Sequence, residues 1–239
     1  MKSKDAIQLH KYLVTEFKKK SGNGTKHSWN YSYLGHNHFS YHLSNPVKHE
    51  IIKGFVSEFK DLDFKTFKRL LDVLYSGKSC DEKSAGGRLL NHYKKHRSMI
   101  KPQTLKGWLT KLEGWAEIDS LCQSVFSAEE MLNNWSDWSD TLESFSKDKN
   151  ISVRRASLVL LTGPVSKSAD EKMFQLGLKN IDRLKLEKDI LITKAVSWLL
   201  RSMVKHHKTK VSAYLKENAE TFPKIAVRET TRKILTGKK

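Results

Sequence analysis

The chain has 239 residues, 38% hydrophobic and 29% charged, enough to bury a core unaided. Its 44 Lys and Arg outnumber 26 Asp and Glu, and the resulting net charge of +18 is spread from an N-terminal FKKK to a closing GKK. A polyanion is therefore the expected partner. No stretch approaches the roughly 20 apolar residues that cross a bilayer, and the opening MKSKDAIQLHKYLVTEFKKK lacks the apolar centre of a signal sequence. A cytoplasmic protein is expected, nucleoid-associated in a bacterial host. Cys80 and Cys122, far apart and without a CxxC companion, read as reduced thiols, not as a disulfide framework or a thiolate metal site.

Apolar residues recur at three- and four-residue spacing almost everywhere, and strand-type alternation is hard to find. In chain order the pattern predicts helices over 5 to 20, 45 to 60, 63 to 75, 80 to 96, 102 to 112, 115 to 126, 128 to 146, 151 to 162, 168 to 178, 186 to 206, 208 to 218 and 224 to 235. Starts are marked by Ser79 with Glu82, by Pro102, and by Ser127 with Glu130. Helical hairpins at a spacing of about 35 residues point to an all-α, stacked α-solenoid forming one domain over 1–239, with a compact bundle as the alternative. Residues 21 to 44, rich in Gly, His, Asn and aromatics, read as a loop or broken helix pair near the functional surface. Gly86 and Gly87 weaken their helix by about 1 kcal/mol each and are expected to lie away from any site.

Three places carry charge or aromatics where packing alone would not ask for them. In GWAEIDSLCQSVF, residues 114 to 126, Trp115, Ile118, Cys122, Val125 and Phe126 share a helical face, and Asp119 falls among them one turn beyond Trp115. A carboxylate there must be paired, neutralised or turned to a wet cleft. In NISVRRASLVLL, Arg154 and Arg155 occupy the first turn of a helix that is apolar nearly all round beyond them. The helix dipole disfavours cations at that end, so a nearby anion is expected. In ILITKAVSWLLRSMVKHH, Lys194, Trp198, Arg201 and Lys205 form one stripe opposite Ile192, Leu199 and Met203. Cations interleaved with an aromatic suit a groove that tracks a nucleic-acid backbone. The same residues also fit plainer roles: a packed tryptophan, a solvated basic face, and a structural salt bridge from Arg154 or Arg155 to Asp119. His206-His207 reads as a C-terminal cap.

The ordered set of WAEID, NISVRRASL, KAVSWLLR and AVRETTRKIL, with YLGHNHFSYHLSNP upstream, resembles the AlkD-type DNA alkylation repair glycosylases, built from HEAT-like helical repeats. The resemblance covers most of the chain. It implies a concave basic face, a monomer, and excision of positively charged N3- and N7-alkylpurines such as 3-methyladenine and 7-methylguanine from double-stranded DNA. It also implies no metal or other cofactor, and a base left stacked instead of flipped. The roles it implies for this chain are catalytic for Asp119, Trp115, Trp198 and Arg155, with Tyr33 matched to an aromatic near the lesion; Arg154, Lys194, Arg201, Lys205, Arg228, Arg232 and His38 are expected to contact the DNA alongside them. A non-catalytic module for bent, branched or damaged DNA is the main alternative. A third reading is a metal-dependent hydrolase using His36, His38 and His42.

Overall fold

The structure, a computed structural model, describes residues 4–21, 35, 37–123 and 125–238. The expected all-α class holds: among the described residues there are thirteen helices and no strand, with only an isolated bridge between Phe39 and Ser79. The chain forms two compact units, Met1–Leu121 and Cys122–Lys239. No helix among the described residues is long and apolar enough to cross a membrane.

In unit 1, α1 (Ala6–Lys20) starts at a capping box between Asp5 and Gln8 and turns Leu9, Leu13 and Phe17 inward. α2 (Asn45–Glu58) has a proline in its first turn, and Asp63 caps α3 (Phe64–Tyr75). α4 (Cys80–His92) opens on the expected box, with Ser79 Oγ accepting from Glu82 N and Glu82 Oε2 accepting from Ser79 N. α1 packs on α2 and α3, and α4 on the same two helices. The expected helix 80–96 is two: Tyr93, at φ −90 and ψ 60, leaves helical geometry to donate its hydroxyl to Phe59 O at 2.7 Å, and α5 (Lys94–Arg97) follows. Pro102 starts turns, not a helix; Leu105 N donates to its carbonyl, and α6 is confined to Thr104–Leu109. α7 (Gly114–Cys122) stops short of the expected 126.

In unit 2 the expected helix 128–146 is broken at Asn134 into α8 (Ala128–Asn133) and α9 (Trp135–Ser146). α10 (Ile151–Lys167) runs past the expected end at 162 and through Pro164, because Val159, Leu160, Leu161 and Val165 around it are buried and their packing outweighs the lost hydrogen bond. α11 (Glu171–Leu184) extends beyond the expected 178. Its buried Asn180 donates to Leu142 O and Ser157 O at 3.3 and 3.2 Å, tying it to α9 and α10. The helices expected over 186–206 and 208–218 are one, α12 (Ile190–Glu217), kinked at His207 where φ is −126 and ψ 37. α13 (Lys224–Thr236) ends at left-handed Gly237. α10 packs on α9 and α12, and α13 on α12.

His207 is therefore not a helix cap. Its ring lies buried at the kink, stacked 4.2 Å from Phe174, and its Nε2 has no hydrogen-bond partner among the described residues. Burial lowers its pKa from 6.5, against the opposing pull of Glu171. The unfolded chain then binds this proton more readily than the folded one, so stability falls as pH drops below 6.5 and continues to fall until the folded pKa is reached. Urea titrations between pH 7 and 5 should show a shallower loss in His207→Gln than in the wild type. Parallel losses would show that His207 does not titrate between the two states.

Candidate active site

Gly114, at φ 63, turns the chain into α7 through a conformation that side chains resist. The approach is tight on the other side as well: a Cβ on Gly35 would lie 3.2 Å from Gly114 Cα. Within α7, Ile118, Leu121 and Cys122 pack inward, Trp115 is half-buried, and Asp119 is 8% exposed one turn further on the same face. Val125 and Phe126, expected on this helix, are buried beyond its end.

Glu117 is the more deeply placed carboxylate, at 1% exposure. It accepts from Glu113 N at 2.9 Å, facing the positive end of the helix dipole, and is hydrogen-bonded to His38 Nδ1 at 2.8 Å. His38, expected at DNA, thus has one ring nitrogen committed to the protein. Tyr33 and His36 lie outside the described residues. Among those described, no group of three or more His, Cys, Asp or Glu could hold a metal.

The two glycines of α4 admit different neighbours, Gly87 the backbone of α7 and Gly86 the last residue of α3. A Cβ on Gly87 would fall 1.8 Å from Ser120 O, and one on Gly86 2.5 Å from the Tyr75 ring. The pair was expected to lie clear of the site; instead Gly87 abuts the residue next to Asp119. Sequence reading also missed Lys83, which is 2% exposed and donates to Tyr75 O and Lys111 O at 3.0 Å each. Burial lowers its pKa while Glu117, Glu82 and Glu113 oppose the shift. Nothing in the pattern CDEKSAGG distinguishes this lysine from a solvated one.

In unit 2 the two arginines of α10 part company. Arg154 makes a two-point pair with Glu187, Nε to Oε1 at 2.8 Å and Nη2 to Oε2 at 3.0 Å, and donates to Asp148 O and Lys149 O. The anion that the helix dipole called for is Glu187, and this arginine is held within unit 2. Arg155 is 3% exposed and donates to Leu191 O, in the first turn of α12.

The stripe on α12 is laid out as its spacing suggested. Lys194 and Lys205 are exposed and Trp198 half-buried, while Ile192, Leu199 and Met203 opposite are fully buried. Arg201 is partly spent on Glu229, 3.2 Å away, which also accepts from Ser197 Oγ at 2.7 Å. Arg228 and Arg232, one turn apart on α13, are exposed.

Unit 1 thus holds a near-buried carboxylate and an indole on one helix face. Unit 2 holds a buried guanidinium bonded to the helix that carries an indole between two exposed lysines. Such groups can stabilise a developing cation and grip a polyanion.

A family model described as "DNA alkylation repair enzyme" matches residues 19–234. No curated protein matches the sequence. A solved structure described as a predicted DNA alkylation repair enzyme from Enterococcus faecalis is similar in fold, with a TM-score of 0.73 and 17% identity over 86% of this chain and 93% of that one.

Proposed function

From the premise that the chain belongs to the DNA alkylation repair enzyme family, we propose that it is a DNA glycosylase that hydrolyses the N-glycosidic bond of cationic N3- and N7-alkylated purines in duplex DNA. The observation that carries this reading is the placement of Asp119 one turn beyond Trp115 on one face of α7, an acid held at 8% exposure.

The chemistry needs little else. As the C1′–N bond lengthens, its electron pair moves to the alkylated purine and cancels that base's positive charge, so no general acid is required. Positive charge grows on the sugar, where the Asp119 carboxylate offsets it and takes the proton of the water that adds to C1′. The indole faces of Trp115 and of Trp198 each favour a cation by about 0.5–2 kcal/mol. Lys194, Lys205, Arg228 and Arg232 neutralise phosphates, while Arg155, bonded to Leu191 O, braces the helix that carries Lys194 and Trp198. Gripping the backbone lets the base stay stacked, unlike enzymes that extrude it. The protein acts as a monomer and without a cofactor.

Incubation with duplex DNA carrying 7-methylguanine or 3-methyladenine should liberate the free base, read by chromatography. Retention of every base, together with salt-sensitive DNA binding, would replace this reading with that of a non-catalytic DNA-binding module; the exposed cations of α12 and α13 alone would account for such binding.

A further inference from the structure

A groove in unit 1 is not used by the Asp119 helix. It runs along α1 and α3 and has a volume of about 990 Å³, at the upper end of the roughly 300–1,000 Å³ typical of ligand sites. Five cations line it, Lys65, Lys68, Arg69, Lys78 and Lys111, against the carboxylates of Asp72 and Glu82.

Both carboxylates are already engaged. Asp72 accepts from Trp108 Nε1 at 2.7 Å and from Lys68 Nζ at 3.2 Å. Glu82 accepts from Ser79 N and Oγ at 2.9 and 2.6 Å and is hydrogen-bonded to His10 Nε2 at 2.7 Å. Lys111 turns to Ser76 Oγ at 2.7 Å. Lys65, Arg69 and Lys78 are exposed, and none of them is in an ion pair among the described residues. A surplus of positive charge is therefore left at the rim.

The wall between these cations is apolar. Val14, Phe64 and Val73 line it together with Tyr41. The Tyr41 ring is braced by Phe17 at 5.8 Å and meets Phe39 edge-on at 4.9 Å, while Phe39 itself stands 58% exposed. Segment 40–41 is anchored beneath by buried Asp81, which accepts from Ser40 Oγ at 3.1 Å and Tyr41 N at 2.7 Å and pairs with Lys48 at 2.6 Å. The aromatic pair is thus held in place by a built support.

A duplex would offer this groove only phosphates and leave its apolar wall uncovered. An unpaired strand offers phosphates and base faces together, which is the combination the groove matches. We propose that the groove is a binding site for single-stranded nucleic acid, with phosphates on Lys65, Arg69 and Lys78 and a base against Phe39 and Tyr41. The choice of nucleic acid as the polyanion rests on the function proposed above.

Fluorescence anisotropy with the full chain and a labelled dodecathymidylate tests this. The Arg69→Ala, Lys78→Ala double variant should bind at least about tenfold more weakly and flatten the slope of log K against log salt by about 1.4, for two strand phosphates released. Phe39→Ala, at an exposed position, should weaken binding at least about fivefold through the lost stacking. Unchanged affinity in the double variant overturns the proposal. So does competition by tripolyphosphate that equals competition by unlabelled dodecathymidylate, since the groove would then read phosphate alone. Base release from methylated duplex, measured on the same variants, keeps the two ideas apart: variants with weakened strand binding and intact release support the groove, whereas absent release in the wild type sinks only the glycosylase.

Discussion

Asp119→Asn is expected to slow release of 7-methylguanine from duplex DNA by about a hundredfold or more, measured in single turnover with protein in excess. The amide keeps the size and planar shape of the carboxylate but removes its charge and its capacity to take the proton of the attacking water. A full charge about 4 Å from the sugar cation is worth about 4 kcal/mol at an effective dielectric of 20, equivalent to roughly a thousandfold in rate. The sugar carries only part of that charge at the transition state, which sets the hundredfold expectation. Affinity for undamaged duplex should stay close to wild type. Equal release by both proteins would remove Asp119 from the mechanism.

Gly87→Ala should cost about 2–3 kcal/mol in urea unfolding and depress base release along with stability. Alanine is the better helix former by about 1 kcal/mol, so propensity alone predicts the opposite sign. Packing decides the outcome, because the new methyl would sit 1.8 Å from Ser120 O, and that neighbour is backbone, which cannot swing aside as a flexible side chain could. α4 and α7 must separate, and Asp119 moves with α7. Gly54→Ala in α2 is the control: a Cβ there meets nothing within 4 Å, so the same change should gain about 0.5–1 kcal/mol. If Gly87→Ala also stabilised the protein, the close approach of the two helices would be wrong.

These cases show which parts of the molecule sequence could disclose. Helix starts were legible because caps are local chemistry: the boxes at Ser79 and Ser127 form with both of their hydrogen bonds. Breaks at Tyr93 and Asn134 were not, since neither residue is a proline or glycine and, at Tyr93, the departure accompanies a hydrogen bond to a distant carbonyl. Pro164 misled in the other direction, its local penalty being outweighed by the buried residues around it. Asp119 stood out as a charge inside an apolar stripe. The purpose of Gly87 did not, because it depends on a backbone 33 residues away. The dipole argument at Arg154 correctly called for an anion, but Glu187 is equally distant along the chain and nothing local pointed to it.

The hydrogen bond between His10 and Glu82 joins positions 72 residues apart, whereas Arg154 reaches Glu187 over 33 and Ser197 reaches Glu229 over 32. Closing a longer stretch of chain costs more entropy, and distant pairings slow the conformational search. The contacts that bring His10 and His38 to their partners in unit 1 therefore carry a slightly larger closure cost than those of Arg154 and Ser197 in unit 2. The carboxylate that caps α4 is complete in its hydrogen bonds only with His10 in place, which makes α1 part of the support of that helix start.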